Sequence, residues 1–273
     1  MKRNKSVLLS VPYILWMLVF TLIPLGVVGY YALTDPDTGA FTWSNMAQLV
    51  TYLPVFGRSI GYSIISAFLC LLLGYPVAYY IAHRGPLAQK LLYMLVMLPM
   101  CMSFLLRTLA WVGLLQDTGI INSFLESMGL ARVSLIRTPG AVILGMVYNY
   151  LPYMILPLYA IIVKIDSRLI EAAEDLGCTP TQTFTKVVLP LSMPGIVSGV
   201  TMVFVPAVST FYISQKLGGT EMLIGDVIER MFKQGNNANL GAALSLLLMV
   251  LVFVCTGIMN KLTDADGESR VVV

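Results

Sequence analysis

Between Lys5 and Asp35 the chain runs 29 residues without a charged side chain, and a helix needs about 20 to cross the hydrocarbon core of a bilayer. The runs from Arg58 to Arg84, Arg137 to Lys164, Lys186 to Lys216 and Lys233 to Lys261 enclose 25, 26, 29 and 27 such residues. The run from Lys90 to Arg107 encloses only 16; it is predicted to reach full length because Arg107 can snorkel from a helix end and Leu109 to Leu115 continue the apolar pattern. Backbone groups in lipid must be paired within the segment, which leaves helices or a closed barrel, and barrel strands would alternate in polarity. The predicted fold class is an all-α integral membrane protein with six transmembrane helices, at about 7–33, 56–82, 89–115, 139–163, 190–213 and 239–260.

The remaining composition excludes several functions. Only 11% of the 273 residues are charged, against roughly 25% in soluble domains, so a water-soluble enzyme is not expected. A scattered net charge of +3 is no nucleic-acid footprint. Cys70, Cys101, Cys178 and Cys255 form no CxxC pair, so neither a metal site nor a disulfide framework is expected, and the four read as small apolar fillers. His83, the only histidine, reads as an interfacial anchor at a helix end. The first apolar run is about twice the 7 to 15 residues of a signal h-region and lacks a small-x-small cleavage site, so it is predicted to be a retained span.

Basic residues near span ends give the orientation. With the N-terminus inside, ten of the 17 Lys and Arg fall on the cytoplasmic side, three of them in the first five residues. The expectation is N-in, C-in. Pro152 and Pro157 in span four and Pro194 and Pro206 in span five should kink those helices, which is tolerated where neighbours or a cavity satisfy the freed carbonyls. Spans four and five are therefore the expected pathway lining. Tyr148, Asn149, Tyr150 and Tyr153 on one, with Ser209, Thr210, Phe211 and Tyr212 on the other, offer aromatic faces and polar groups. Each alone also fits ordinary packing or an interface aromatic.

The loop at 165–188 is predicted to be two short helices with a break. Asp166 or Ser167 caps the first, which carries an apolar stripe at Leu169, Ala172, Ala173 and Leu176. Gly177 supplies a left-handed terminator. Thr179 and Gln182 form a capping box around Pro180 at the first helical position. The first helix is acidic, so anionic lipid would repel it, and a protein partner is the better reading. Outside, Glu221, Asp226 and Glu229 alternate with Met222, Ile224, Val227 and Ile228 as either a solvated helix face or a docking surface.

Glu171-Ala172-Ala173, then Gly177, then Val187-Val188-Leu189-Pro190 match throughout the spacing of the EAA loop of ABC importer permeases. Leu73-Gly74-Tyr75-Pro76, Leu105-Leu106-Arg107-Thr108, Gly119-Ile120-Ile121-Asn122, Leu151-Pro152-Tyr153 and Leu217-Gly218-Gly219 resemble the spermidine/putrescine branch of that family. Two departures stand out: Gln215-Lys216 where relatives carry an acidic residue, and Ala238-Asn239 where they carry Trp-Pro. The resemblance implies the type I ABC importer permease fold in the bacterial cytoplasmic membrane. It implies ATPase coupling through Glu171, Ala172, Ala173, Gly177 and Pro190; the substrate path is expected near Tyr148, Asn149, Tyr153, Ser209, Phe211 and Tyr212 because they cluster beside the four prolines of spans four and five. Of the two readings of the amphipathic segment, binding-protein docking at Glu221, Asp226 and Glu229 is the one expected. The implied partners are an ABC ATPase dimer, a second homologous permease and an extracytoplasmic binding protein. The chain has no GxxxxGK[ST] to cradle phosphates, so no cofactor is expected on it, and ATP and Mg belong to the ATPase. Permeases for other small solutes share the pattern. An ion-coupled secondary transporter would place ionisable groups at the midplane, and an intramembrane protease would need a nucleophile with its base; neither is seen.

Overall fold

A computed structural model of the chain describes residues 3–36, 38–219, 222–234 and 237–268. Its helices are α1 (Arg3–Ala32), α2 (Ser44–Gln48), α3 (Leu53–Ala82), α4 (Pro86–Met97), α5 (Phe104–Leu115), α6 (Ile120–Ser127), α7 (Pro139–Ile162), α8 (Ser167–Asp175), α9 (Pro180–Thr183), α10 (Leu189–Val208), α11 (Tyr212–Leu217), α12 (Ile224–Lys233) and α13 (Ala238–Glu268). Among the described residues the extended structure is one isolated bridge, Thr34 to Phe41. Six helical stretches are long and apolar enough to span a membrane. The chain divides into two compact units, Met1–Pro54 with Val227–Leu251 and Val55–Asp226 with Val252–Val273.

In the first unit, polar hooks close the loop after α1. Buried Asn45 donates to the carbonyls of Ala32 (3.2 Å) and Thr34 (2.9 Å). Asn239, at the start of α13, donates to the Thr34 carbonyl and to its Oγ1 at 3.3 Å. Asn239 is one of the two departures from the resemblance described above, and it makes this contact instead. Ala32, Ala242 and Ala243 are all buried beside it, and small side chains let helix backbones approach closely.

In the second unit α7 is central. Val142, Met146, Met154 and Leu158 are fully buried against Cys70 and Ala78 of α3, Val203 and Ala207 of α10, and Ile213 and Leu217 of α11. Gly199 fixes how closely α10 crosses α7: a Cβ there would lie 2.7 Å from Met154 Sδ and 3.2 Å from the Met154 carbonyl oxygen. Pro152, Pro157, Pro194 and Pro206 lie inside α7 and α10, which run through them.

Three expectations are corrected. The stretch 89–115 is two helices: Leu98–Cys101 is a tight turn with Pro99 inside it, Met102 is extended, and α5 begins at Phe104. Proline removes one backbone donor and clashes with the preceding turn. The fifth stretch ends at Val208, not 213, and α11 follows a break at 209–211. Of the cysteines, only Cys70 is a buried filler; Cys101 is exposed and Cys178 and Cys255 are half-buried, all four as free thiols.

Candidate functional site

The elbow starts where α7 ends. The Asp166 carboxylate accepts the Arg168 N–H (3.0 Å) to cap α8. Gly177 terminates it at φ +84, its N–H donating to the Glu174 carbonyl (2.8 Å) while Cys178 N–H donates to Ala173 (3.0 Å). Gln182 N–H then donates to Thr179 Oγ1 (3.4 Å) and Thr179 N–H to Gln182 Oε1 (2.9 Å), the reciprocal capping box. A single π-turn at Phe184–Val188 leads into α10, with Pro190 in its first turn.

The elbow's faces differ from the predicted stripe. Ala173 is turned inward at 7% exposure, but Leu176 is 86% exposed, and Leu169, Ala172 and Glu171 are exposed as well. Behind α8 lies a cavity of about 520 Å³, lined by Tyr79, His83, Ile162, Ile170, Glu171 and Glu174 among others. His83 Nδ1 is 2.8 Å from the Tyr79 carbonyl oxygen, with the two rings 4.1 Å apart.

The predicted pathway residues are placed unequally. Tyr148 and Tyr153 are exposed; the Tyr148 ring meets Trp111 edge-on at 5.4 Å, and Tyr153 lies 6.4 Å from Tyr150. Asn149 is 1% exposed, with Nδ2 donating to the Gly145 carbonyl (2.9 Å) and Oδ1 without a partner among the described residues. Ser209 and Phe211 are exposed in the break after α10, and Tyr212 opens α11 with its ring 6.3 Å from Phe104. The break frees the Pro206 carbonyl, because Thr210 N–H turns to Ala207 instead (3.3 Å). Tyr150 OH donates to that Pro206 oxygen at 3.3 Å. The break is covered by Gly225, where a Cβ would lie 2.5 Å from the Thr210 oxygen. Irregular backbone at membrane depth requires such cover.

Two charged residues are not where the sequence suggested. Arg107, expected to snorkel, is 5% exposed in the first turn of α5, and its Nε and Nη1 have no partner among the described residues. Asp226, expected on a water-facing or docking face, is 2% exposed and its carboxylate accepts the Leu223 N–H (3.0 Å). Glu229 is largely covered and pairs with Lys233 one turn on. Glu221 lies outside the described residues. Sequence reasoning missed Ser59: buried in α3, its Oγ accepts the Ile224 N–H at 2.8 Å and so anchors the start of α12. A serine in an apolar helix is the only signal that pointed to it.

The described chain thus combines six apolar helical stretches, an exposed elbow between the fourth and fifth, and a backbone break after the fifth. The chain belongs to the family described as binding-protein-dependent transport system inner membrane component, which it matches over residues 70–265. It is 39% identical over 266 residues to the spermidine/putrescine transport system permease protein PotB of Haemophilus influenzae, covering 93% of each chain. It is 36% identical to PotB of Escherichia coli K12, over 87% of this chain and 90% of that one. Among solved structures, a bacterial ABC transporter involved in import of the acidic polysaccharide alginate has a chain of the same fold, with TM-score 0.73, 21% identity, and 97% and 96% coverage of the two chains. A chain of the MetNI methionine ABC transporter superposes with TM-score 0.61 at 18% identity, covering 81% of this chain and 98% of that one. The chain is an ABC importer permease subunit, multi-pass and non-catalytic.

Proposed function

We propose that the chain is one of two permeases in an ATP-driven importer of polyamines, spermidine or putrescine, in a bacterial cytoplasmic membrane. It lies N-in and C-in, with the elbow at 165–188 in the cytoplasm. The observation that carries the coupling role is the elbow's outward face: Leu169, Ala172 and Leu176 are uncovered by their own chain on a helix capped at both ends. Exposed apolar groups rimmed by charge mark a protein-docking surface. An ATPase seated there would move α8, and α8 is joined to α7 by four residues and to α10 through Gly177 and the capping box. A rigid elbow passes that displacement to the helices that carry the pathway residues Tyr148, Asn149, Tyr153, Ser209, Phe211 and Tyr212.

The polyamine assignment is supported by the PotB relatives and by aromatic faces suited to ammonium groups. A second reading, another small solute of the same importer class, is favoured by Arg107 and Lys216, since fixed cations beside a path repel a polycation. The test is co-purification of the tagged full-length chain from its native membrane. Expected companions are one ATPase, one related permease and one extracytoplasmic binding protein. A chain that travels with no ATPase overturns the reading.

A further inference from the structure

At the Pro139 end of α7, about 36 Å of helix from the elbow by helical rise, the structure holds a second, larger open cavity of about 780 Å³. Val112 and Ile136 give it an apolar floor, while Asp117, Arg137, Gln215 and Lys216 supply its polar lining. The cations outnumber the carboxylate two to one, and neither Arg137 nor Lys216 makes a salt bridge among the described residues. Lys216 is exposed and held over the Tyr212 ring at 5.7 Å.

This rim is built firmly. Arg137 is the one described non-glycine residue with positive φ, +62. It is backed by Gly219, also left-handed, where a Cβ would lie 2.7 Å from the Arg137 Cβ. Buried Asn122 ties the loop leading to it, its Nδ2 donating to the Val133 carbonyl (3.0 Å) and its Oδ1 accepting the Val133 N–H (2.9 Å). Thr138 caps α7 immediately after, accepting the Ala141 N–H at 3.2 Å. Strained backbone persists only where its surroundings hold it, and it concentrates at binding surfaces. The held backbone directs the exposed Arg137 side chain from the cavity rim.

We propose that this cavity receives a carboxylate-bearing projection of the extracytoplasmic substrate-binding protein, with Arg137 and Lys216 as its electrostatic anchors. The inference rests on the importer reading and on its orientation, which puts the cavity outside. It relocates docking from Asp226 and Glu229, which are turned inward or paired, to a surface whose charge is available. A cationic substrate is a poor occupant because both fixed charges oppose it, whereas paired opposite charges across an interface raise the association rate and fix register.

The experiment uses the complete complex in lipid nanodiscs and the binding protein that co-purifies with it, with association followed by interferometry at 50 mM and 500 mM salt. Arg137→Gly removes the charge and suits the left-handed backbone at that position. Lys216→Glu reverses the other charge. Each is expected to slow association about tenfold at low salt and to approach wild type at high salt, where screening shortens to a few ångströms. Arg132→Gln, at the same end of the molecule but paired with Glu126, should stay within twofold. Undiminished association in the Arg137→Gly and Lys216→Glu variants overturns the docking site and leaves the importer reading standing, as does an equal loss in Arg132→Gln. Slowed substrate uptake with unchanged binding-protein association would place substrate in the cavity and overturns it too. A wild-type complex that binds no such protein removes both.

Discussion

Replacing Gly177 by a graded series tests whether the elbow's shape, and not merely its sequence, transmits force. The residue sits at φ +84 with no heavy atom within 4 Å of a built Cβ, so a new side chain meets no neighbour and its cost is backbone strain alone. An L-residue in this region costs about 1 to 2 kcal/mol, and asparagine costs less. The alternative is for the loop to leave the left-handed region, losing the Gly177-to-Glu174 and Cys178-to-Ala173 bonds at about 1 kcal/mol each. The two routes are of similar height, so even a β-branched residue should cost no more than about 2 kcal/mol. Where the two routes are of equal height, the native bend is kept in about half of the molecules, and each further 1 kcal/mol of strain lowers its share about fivefold. Affinity of the permease complex for its ATPase, titrated in detergent, should therefore fall in the order Gly, Asn, Ala, Val, with Asn within about twofold and Val down by about two- to sixfold. Thermal unfolding of the membrane spans should be unchanged across the series. Equal ATPase affinity for Gly and Val, with substrate-stimulated hydrolysis retained, would show that the left-handed bend is not needed for coupling.

Gly199→Leu should force α10 off α7, since even its Cβ would lie 2.7 Å from Met154 Sδ; overpacking of this kind costs about 1 to 3 kcal/mol, read as a lower melting temperature in detergent. Arg107→Met should leave the melting temperature equal or higher, because it removes a buried guanidinium with two unpartnered nitrogens while keeping an apolar stem of similar length. Single cysteines at the exposed positions Ser134 and Thr181, in a cysteine-free background, should react with an impermeant reagent from opposite sides of the membrane; labelling of both from one side contradicts the topology.

The spans were legible because lipid permits so few solutions: an uncharged run of 25 residues has little choice but helix. Elbow geometry was legible because Asp166, Gly177, Thr179 and Pro180 act locally, through caps and a left-handed terminator that do not depend on distant residues. What failed depends on tertiary context. The third stretch is split by the tight turn Leu98–Cys101 and the extended Met102 that follows it, and nothing in the apolar run itself marks where the chain will turn. Arg107 marked the end of an uncharged run, and a run ends equally at a snorkelling residue or at a buried one. Asp226 fitted an amphipathic pattern, but its carboxylate serves the Leu223 N–H, and Ser59 anchors the next residue from 165 positions away. The stripe on α8 was read as one face, whereas Ala173 alone turns inward and Leu176 is left for a partner.

The most direct test is transport by the whole complex, with ATPase, both permeases and binding protein, reconstituted in liposomes with ATP supplied on the ATPase side. Labelled spermidine, labelled putrescine and an uncharged solute of similar length are compared with and without ATP. ATP-dependent accumulation of at least one polyamine, absent for the neutral solute, is the predicted result; ATP-dependent uptake of the neutral solute with neither polyamine entering would contradict it.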